Sequence, residues 1–221
     1  MKHNLFVGQN YQNFLKRIID ILGSIVLLIV FFIPSIIIAI AIKTTTEGPI
    51  FADVPSRIGK NGKKFKMYKF RSMIANAHTI LRKDPKFKEL YQEYKKASYK
   101  LHNDPRITDV GRFIRRHSLD ELPQLINVLT GDMSLVGPRA YYEDELVNQQ
   151  KEYPSTKNLV KKVLTAKPGI TGLWQVSGRS KVNFDERIIL DAKYVEKISL
   201  LHDLKIIFKT PIIMLTGRGA V

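Results

Sequence analysis

The sequence predicts a mainly helical α/β chain with a few short strands, folded as a single domain behind an N-terminal membrane helix. Its 221 residues are enough for one globular domain plus a membrane element. An uncharged apolar run fills residues 21–42. As a helix this run is long enough to cross a hydrocarbon core of ~30 Å. Downstream, short apolar stretches bounded by glycine and proline alternate with longer stretches of helical spacing.

The apolar run carries two signals about how it meets a membrane. Lys and Arg flank it, and fifteen of them face four acidic residues over 57–106, which places the downstream body in the cytoplasm. Pro34 near its middle predicts a kink, and Ser35 can satisfy a freed carbonyl group. A kinked span and a re-entrant hairpin both fit these residues. A cleaved signal peptide fits poorly, because Lys43 and polar residues follow without a small-residue cleavage site.

Turns are expected at residues 48–51 and 59–62. After them come two segments of different character, residues 64–71 and residues 74–101. Residues 64–71 alternate basic with aromatic or apolar side chains. This predicts a strand with one packed face and one cationic face. Residues 74–101 are polar with helical spacing and one break at Asp84-Pro85, which predicts a solvated helical excursion.

The C-terminal third contains three predicted elements. Residues 173–176 are expected to form a short strand between two loops. A core-facing helix is indicated by four residues at helical spacing: Phe184, Ile188, Ala192 and Val195. Residues 198–215 are apolar, with Pro211 inside them, and they suit either a helix in the membrane interface or a plain core helix.

The segment with the clearest chemical content surrounds the acidic pair Asp120 and Glu121. An apolar stripe predicts a short helix over residues 121–129. With Pro123 in the first turn, Asp120 is the natural N-cap, whereas a capping box from Ser118 would start the helix two residues earlier. In both cases the helix dipole and the neighbouring arginines favour an ionised Asp120.

A carboxylate in such surroundings can react with phosphorus. Beside cations it can attack a phosphorus atom and form an acyl phosphate. Glu121 is placed to hold Mg2+, which prefers carboxylate and phosphate oxygens. The alternative is a plain cap at Asp120 with a surface residue at Glu121. Nearby arginines that can hold phosphates, and the membrane segment, favour the catalytic interpretation.

At these residues the sequence resembles the monotopic polyprenyl-phosphate phosphoglycosyl transferases, the bacterial sugar transferases that open glycoconjugate assembly. The resemblance covers residues 16–221, about nine tenths of the chain. Its five ordered motifs are KRIID at 16–20, YKFRSM at 68–73, SLDELPQ at 118–124, GDMSLVGPR at 131–139 and KPGITGLWQV at 167–176.

The resemblance implies the architecture. The fold class is α/β, mainly helical with a few short strands, in a single domain with an N-terminal re-entrant membrane helix and interfacial amphipathic helices. Residues 1–15 would be an N-terminal extension and residues 16–46 a re-entrant helix–break–helix with its break at Pro34 and Ser35. Residues 47–221 would form a membrane-interface catalytic domain at the cytoplasmic face of the bacterial cell (inner) membrane.

It also implies a reaction. In that family the aspartate of the pair attacks the β-phosphate of a UDP-sugar, UMP leaves, and a polyprenyl phosphate takes the phosphosugar. By position the nucleophile is Asp120 and the Mg2+ ligand is Glu121. The implied substrate-binding residues are Lys69, Arg115 and Arg139, with Gln175, Arg179 and Asp191 as weaker correspondences. The implied partners are a UDP-hexose, polyprenyl phosphate and the cell membrane, without nucleic acid.

Two positions depart from the family pattern. Ser35 follows the proline at the break, where the family often has the serine before it. Ala140 replaces the last proline of a Gly-Pro-Arg-Pro motif, which predicts a looser loop around Arg139. The sequences of residues 172–179 and 217–221 resemble those of family members that transfer a hexose 1-phosphate, which favours that group here. The sugar, the polyprenol length and the oligomeric state, including a homodimer, are left open by the sequence.

A second hypothesis comes from the net charge of +16. A basic membrane scaffold that binds anionic lipid or nucleic acid and catalyses nothing would also carry cations interleaved with aromatics. Such a protein has no need of the acidic pair, so replacing Asp120 and Glu121 by alanine should leave its binding intact.

Overall fold

The computed structural model describes residues 5–99, 101, 103–178 and 182–216. Within these residues the α-helices are α1 Gly8–Asn10, α2 Lys16–Val30, α3 Phe32–Thr45, α4 Ala77–Lys83, α5 Lys88–Lys96, α6 Asp109–Arg116, α7 Gln124–Thr130, α8 Glu143–Glu152, α9 Lys157–Val163, α10 Leu173–Ser177, α11 Phe184–Glu196 and α12 Leu200–Thr216. The strands are β1 Arg57–Ile58, β2 Lys64–Phe65, β3 Ser134–Val136, β4 Tyr141–Tyr142 and β5 Gly169–Thr171. The predicted class, mainly helical with a few short strands in one domain, is confirmed.

The apolar run forms a bent helix pair. A π-helical turn at Tyr11–Leu15 joins α1 to α2, so one helical path leads to Val30, and α3 leaves it at an angle of 61°. The bend lies at Phe31 (φ −94°, ψ 11°), not at the predicted Pro34 and Ser35. Proline still explains it, because the Pro34 ring clashes with the carbonyl four residues earlier, at Val30, and provides no N–H.

The two halves of the bent pair are candidates for a membrane only together. Among the described residues no single helix is long and apolar enough to cross a bilayer, while the bent pair meets that requirement jointly by length and composition. Both halves expose apolar side chains: Leu22, Val26, Ile29, Val30, Phe32, Ile33, Ile37 and Ile40.

Helix α2 is amphipathic, but it buries polar side chains and exposes apolar ones. Its buried residues are Lys16, Asp20 and Ser24, spaced four apart along one face, whereas a helix on the surface of a soluble protein buries its apolar face. The carboxylate of Asp20 accepts hydrogen bonds from Ser134 Oγ and from the backbone N–H of Leu135 (2.9 Å). Polar groups that face the body and apolar groups that face outward are the pattern of a helix in lipid.

A buried polar cluster fastens this helix to the first turn of α12. Lys16 Nζ lies 2.5 Å from Asp203 Oδ2, and Tyr11 donates its hydroxyl proton to the same oxygen at 2.9 Å. Tyr194 donates to Asp203 Oδ1 at 2.8 Å. The carboxylate is therefore saturated by three partners, and α2, α11 and α12 meet at one point.

The short strands form two small sheets. Strand β1 lies between β2 and β4 in an antiparallel sheet, with Arg57 opposite both Phe65 and Tyr142. Strands β3 and β5 pair in parallel. The predicted strand at residues 173–176 is wrong, because these residues form helix α10 and the strand precedes them. Gly169 explains the placement: a Cβ there would lie 2.0 Å from Gly137 N, so the close backbone approach at β5 requires glycine.

The cationic strand is confirmed only in part. Phe65 and Met67 are buried while Lys66 is exposed, as the alternation predicted. Only Lys64–Phe65 pairs as a strand, however. Arg71 is buried and donates to the carbonyl oxygens of Thr46 and Glu47, so it closes the C-terminus of α3 and does not belong to a cationic face.

The excursion is helical with the predicted break. Pro85 opens a 3-10 turn between α4 and α5, and the Asp84 carboxylate accepts a hydrogen bond from Lys86 N. The segment is not simply solvated, because Leu81 and Tyr94 are buried in the main hydrophobic core. Helices α4 and α5 therefore each pack an apolar face against the core, whereas the sequence predicted that the segment is solvated.

The predicted C-terminal helices are both present. In α11, Phe184, Ile188 and Ala192 are buried as expected. Helix α12 continues through Pro211 and buries Asp203 and Ile206. Its other face exposes apolar side chains: Leu201, Phe208, Ile212 and Leu215.

The buried ion pair should be a strong determinant of stability. Lys16→Met leaves the Asp203 carboxylate buried without its cation, so we expect the free energy of unfolding to fall by about 3–5 kcal/mol. Thermal or denaturant unfolding in detergent measures this. Lys64→Met is the matched control, since the side chains of the Lys64–Glu143 pair are 56% and 61% exposed and its loss should cost less than about 1 kcal/mol. Equal effects of the two changes would contradict the assignment.

Candidate active site

The acidic pair lies in the first turn of a helical segment. This segment begins one residue before Asp120, which the sequence predicted as the N-cap. Residues Leu119–Glu121 form a 3-10 turn, and α7 follows after Pro123. Asp120 is therefore not an N-cap. Ser118 occupies that position with φ 55°, which agrees with the upstream start, but its side chain makes no capping hydrogen bond. Both carboxylates remain at the positive end of the turn.

Backbone hydrogen bonds align the pair with the strand-like segment that carries Lys69. Asn127 in α7 accepts from Tyr68 N at 2.9 Å and donates to Lys66 O at 2.8 Å. Phe70 N donates to Asp120 O at 2.9 Å. Because these bonds flank residue 69 on both sides, its side chain is directed at the acidic pair.

Lys69 bridges the two carboxylates. Its Nζ lies 3.2 Å from Asp120 Oδ2 and 2.8 Å from Glu121 Oε1. The Asp120 side chain is 6% exposed, against 32% for Glu121. Burial lowers the pKa of Lys69, but the charges of Asp120 and Glu121 outweigh it and hold that pKa above its usual range. The lysine is therefore a stable ammonium group between two acids.

These side chains line a cavity of about 1000 Å³. Near the acidic pair its wall includes Arg115, in the last turn of α6. The positive charge of Arg115 opposes, without reversing, the rise in the pKa of Lys69 that the two carboxylates cause. The apolar wall is formed by α2, Phe31 and α12, and it includes Gly23, Val26, Leu27, Phe31, Ile207, Pro211, Met214 and Leu215. The aromatic wall consists of His78, Tyr94, Tyr99, Tyr142 and Trp174.

The other predicted substrate-binding residues are divided by the structure. Arg139 lines the cavity, with its guanidinium 5.3 Å from the centre of the Trp174 ring. Gln175 also lines it and donates to Ile170 O at 3.3 Å. Asp191 is fully buried behind the wall and is not among the lining residues. Arg179 lies outside the described residues.

Asp191 instead positions the loop that carries Arg139. Its Oδ2 accepts from Arg139 N at 3.0 Å and from the Tyr141 hydroxyl at 2.9 Å. Ala140 O in turn accepts from Arg57 Nη1 at 2.9 Å. The loop is therefore held by hydrogen bonds on both sides of Arg139, and the expected loosening at Ala140 is not seen.

Arg57 is a cation of the wall that sequence reasoning missed. It is 6% exposed, lines the cavity and packs its guanidinium 3.3 Å from the centre of the Tyr142 ring. Nothing in the five motifs marks it, since it sits alone in a two-residue strand. A basic residue between the turns at 48–51 and 59–62 was the signal that could have found it.

Comparison with known proteins identifies relatives along almost the whole chain. A family model described as bacterial sugar transferase matches residues 11–217. An undecaprenyl-phosphate galactose phosphotransferase of Salmonella typhimurium is 45% identical over 218 residues, which cover 97% of this chain and 43% of the relative. The exopolysaccharide production protein ExoY of Rhizobium meliloti is 41% identical over 206 residues, covering 93% of this chain and 87% of ExoY.

A third relative is a UDP-glucose:undecaprenyl-phosphate glucose-1-phosphate transferase of Klebsiella pneumoniae. It is 41% identical over 201 residues, which cover 88% of this chain and 39% of the relative. The chain therefore spans about two fifths of the Salmonella and Klebsiella proteins. Its span matches most of ExoY.

Because of Asp191, the free energy of unfolding should depend on pH. Burial raises its pKa from 3.8 to about 7. Between these values the folded protein keeps a proton that the unfolded chain has lost, so stability falls as the pH rises from about 4 to about 7. Asp191→Asn removes this titration and preserves the acceptor oxygen.

We therefore expect the unfolding midpoint of the wild type to fall, relative to Asp191→Asn, as the pH is raised through this window. Thermal unfolding at several pH values measures the difference. Asp109→Asn, at a fully exposed side chain, is the control and should follow the wild type. A constant difference between wild type and Asp191→Asn across the window would refute the assignment.

Proposed function

The chain belongs to the bacterial sugar transferase family, and on that premise we propose that it transfers a hexose 1-phosphate from a UDP-sugar to polyprenyl (undecaprenyl) phosphate, with release of UMP. The single observation that carries the proposal is the Asp120–Lys69–Glu121 arrangement on the wall of a large cavity. The names of the relatives, which include galactose and glucose phosphotransferases acting on undecaprenyl phosphate, support the substrate classes.

Asp120 would act as the nucleophile. Its carboxylate oxygen attacks the phosphorus that bears the sugar, the bond from that phosphorus to the bridging oxygen breaks, and UMP leaves with the electron pair. The product is a phosphosugar acyl phosphate on Asp120. An oxygen of polyprenyl phosphate then attacks the same phosphorus, and the Asp120 carboxylate leaves unchanged. Atoms and charge balance over the two steps without any oxidant or reductant.

Lys69 and Arg115 would stabilise the charge that develops. Lys69 lies within 3.2 Å of both carboxylates, so it holds Asp120 in place and presents positive charge to the equatorial oxygens of the transferring group. Positioned cations of this kind supply most of the catalysis expected in phosphoryl transfer. Arg139, fixed by Asp191, would bind a phosphate of the donor.

The residues present fit a shared Mg2+ site. Mg2+ is commonly bound by one or two carboxylates together with substrate phosphates, and Glu121 with Asp120 offers that set. Among the residues described, no group of three or more His, Asp or Glu is arranged to hold a metal, so substrate oxygens would have to complete the site. When bound by Glu121, the ion would neutralise charge on the diphosphate.

The lipid acceptor would approach along the apolar wall. The α2 and α12 side chains that line the cavity are almost all apolar, and both helices also expose apolar faces outward. We propose that α2 and α3 form a re-entrant pair in the cytoplasmic leaflet of the bacterial inner membrane, with α12 in the interface. A homodimer stays a prediction.

The nucleophile assignment predicts a near-complete loss of turnover. Asp120→Asn keeps the shape of the side chain but cannot form the acyl phosphate, so we expect release of UMP from UDP-hexose to fall by at least about a thousandfold. A UMP-release assay across a panel of UDP-sugars, with polyprenyl phosphate and Mg2+, measures this and identifies the sugar. Asp109→Asn should retain activity. Full turnover by Asp120→Asn would end the covalent mechanism, and salt-dependent RNA binding without turnover would favour the scaffold hypothesis.

The re-entrant arrangement predicts that both ends of the bent pair face the same side of the membrane. The chain has no cysteine, so single cysteines at Asn13 and Glu47, both exposed, can be labelled without background. In spheroplasts, a membrane-impermeant maleimide should label neither Asn13→Cys nor Glu47→Cys until the membrane is permeabilised. Labelling of Asn13→Cys alone in intact spheroplasts would indicate a spanning helix.

A further inference from the structure

Three arginines meet two carboxylates behind and along one part of the cavity wall. We call this set the arginine cluster: Arg57, Arg139, Arg187, Glu145 and Asp191. Arg57 and Arg139 line the cavity, while the other three are fully buried. The cluster is separate in sequence from the Lys69, Asp120 and Glu121 triad, and the proposed chemistry assigns no role to Arg57, Arg187 or Glu145.

Arg57 is held rigidly at the cavity surface. Its backbone lies in β1 between β2 and β4, its guanidinium packs 3.3 Å from the centre of the Tyr142 ring, and Nη1 donates to Ala140 O. Its Nε makes no hydrogen bond within the described part of the chain. A planar guanidinium fixed by stacking, with donor capacity unused, is arranged to receive a ligand.

Glu145 is shared between two arginines and saturates neither. Its Oε1 lies 3.6 Å from Arg187 Nη2 and 3.8 Å from Arg139 Nε, beyond hydrogen-bonding distance. Its Oε2 accepts from Tyr142 N instead. Arg187 donates to Ser98 O at 3.4 Å, but its Nε and Nη1 have no hydrogen-bond partner among the described residues.

The cluster therefore carries an excess of buried positive charge. Three guanidinium groups, which remain charged in proteins, face at most two negative charges. Burial raises the pKa of Asp191 to about 7, which weakens it as a counter-charge near neutral pH. Unneutralised buried charge is costly. Both arginines that line the cavity, Arg57 and Arg139, have an Nε without a hydrogen-bond partner among the described residues. A bound anion would satisfy both requirements, whereas water would satisfy only the hydrogen bonds.

We propose that Arg57, together with Arg139, binds a phosphoryl group of the nucleotide portion of the donor, the part that leaves as UMP. This inference rests on the proposed function for the identity of the anion. The surrounding wall decides between the two phosphorylated substrates: His78, Tyr94, Tyr142 and Trp174 offer flat aromatic surfaces suited to a nucleoside, while a prenyl chain matches the aliphatic side chains of α2 and α12. Glu145 and Arg187 are positioning residues that hold Arg139 from behind.

The test uses the full chain in detergent and needs no turnover. Trp174 is the sole tryptophan and lies on the same wall, so its fluorescence can report ligand binding. UMP, uridine and inorganic pyrophosphate are titrated without added metal. For the wild type we expect UMP and pyrophosphate to bind and uridine to bind at least about tenfold more weakly than UMP, as loss of a charge-assisted contact implies.

Arg57→Gln should raise the Kd for UMP by about 10- to 100-fold and leave the Kd for uridine unchanged. Arg82→Gln is the matched control, because Arg82 lies 5.5 Å from the same Tyr142 ring but does not line the cavity. It should bind UMP like the wild type. Thermal unfolding confirms that each variant is folded. If Arg57→Gln is not folded, Arg57→Lys takes its place, and it should weaken UMP more than uridine, because an ammonium group does not reproduce the planar fork.

Two results would overturn the inference. One is a wild type that binds uridine as tightly as UMP, a result that does not depend on any variant. The other is a folded Arg57 variant whose UMP affinity equals that of the wild type. Failure of the proposed transfer is distinguishable: absence of UMP release from UDP-hexose, with Arg57-dependent binding of UMP intact, would leave the anion site standing and remove the reaction.

Discussion

The site depends on one ammonium group held between two adjacent carboxylates. Asp120 and Glu121 would repel each other at the edge of a cavity, and the positive charge of Lys69, 3.2 Å and 2.8 Å away, removes that repulsion. The lysine stays in place because Asn127 and Asp120 bind the backbone of residues 66–70. The acidic pair is thus oriented by an extended segment that is distant in sequence and by hydrogen bonds that do not involve the two carboxylates.

Polar contacts also link helix α2 to the body of the protein that carries the site. The buried Asp20 carboxylate holds β3, and Lys16 with Tyr11 holds Asp203 of α12. Helices α2 and α12 both line the cavity, where their side chains form the apolar wall. Polar contacts between the helices and the body therefore determine where a lipid substrate could meet the acidic pair. Apolar packing alone would permit many orientations, because it is non-directional.

The cavity combines three chemical environments around one reaction centre. The triad of Lys69, Asp120 and Glu121 has few groups of its own to discriminate between donors. The aromatic wall and the arginine cluster are suited to a charged nucleotide, and the apolar wall to a prenyl chain. The proposed two-step transfer would benefit from this division, because donor and acceptor would use the same nucleophile in turn while each is recognised by different residues.

Local patterns in the sequence determined the helices with strong periodicity and the presence of a bend in the apolar run, although the bend lies at Phe31 and not at Pro34. They also marked the acidic pair as the candidate site. Residues 184–196 and the Asp84-Pro85 break followed directly from spacing and from the geometry of proline. Residues 173–176 did not, because a four-residue, mostly apolar stretch fits strand and helix alike and the pairing of β3 with β5 decided between them. Tertiary structure alone placed Lys69 on both acids, moved Asp191 behind the wall and brought Arg57 into the cavity. These placements come from contacts between residues far apart in the chain, as between Arg57 and Tyr142, and no local periodicity contains such contacts.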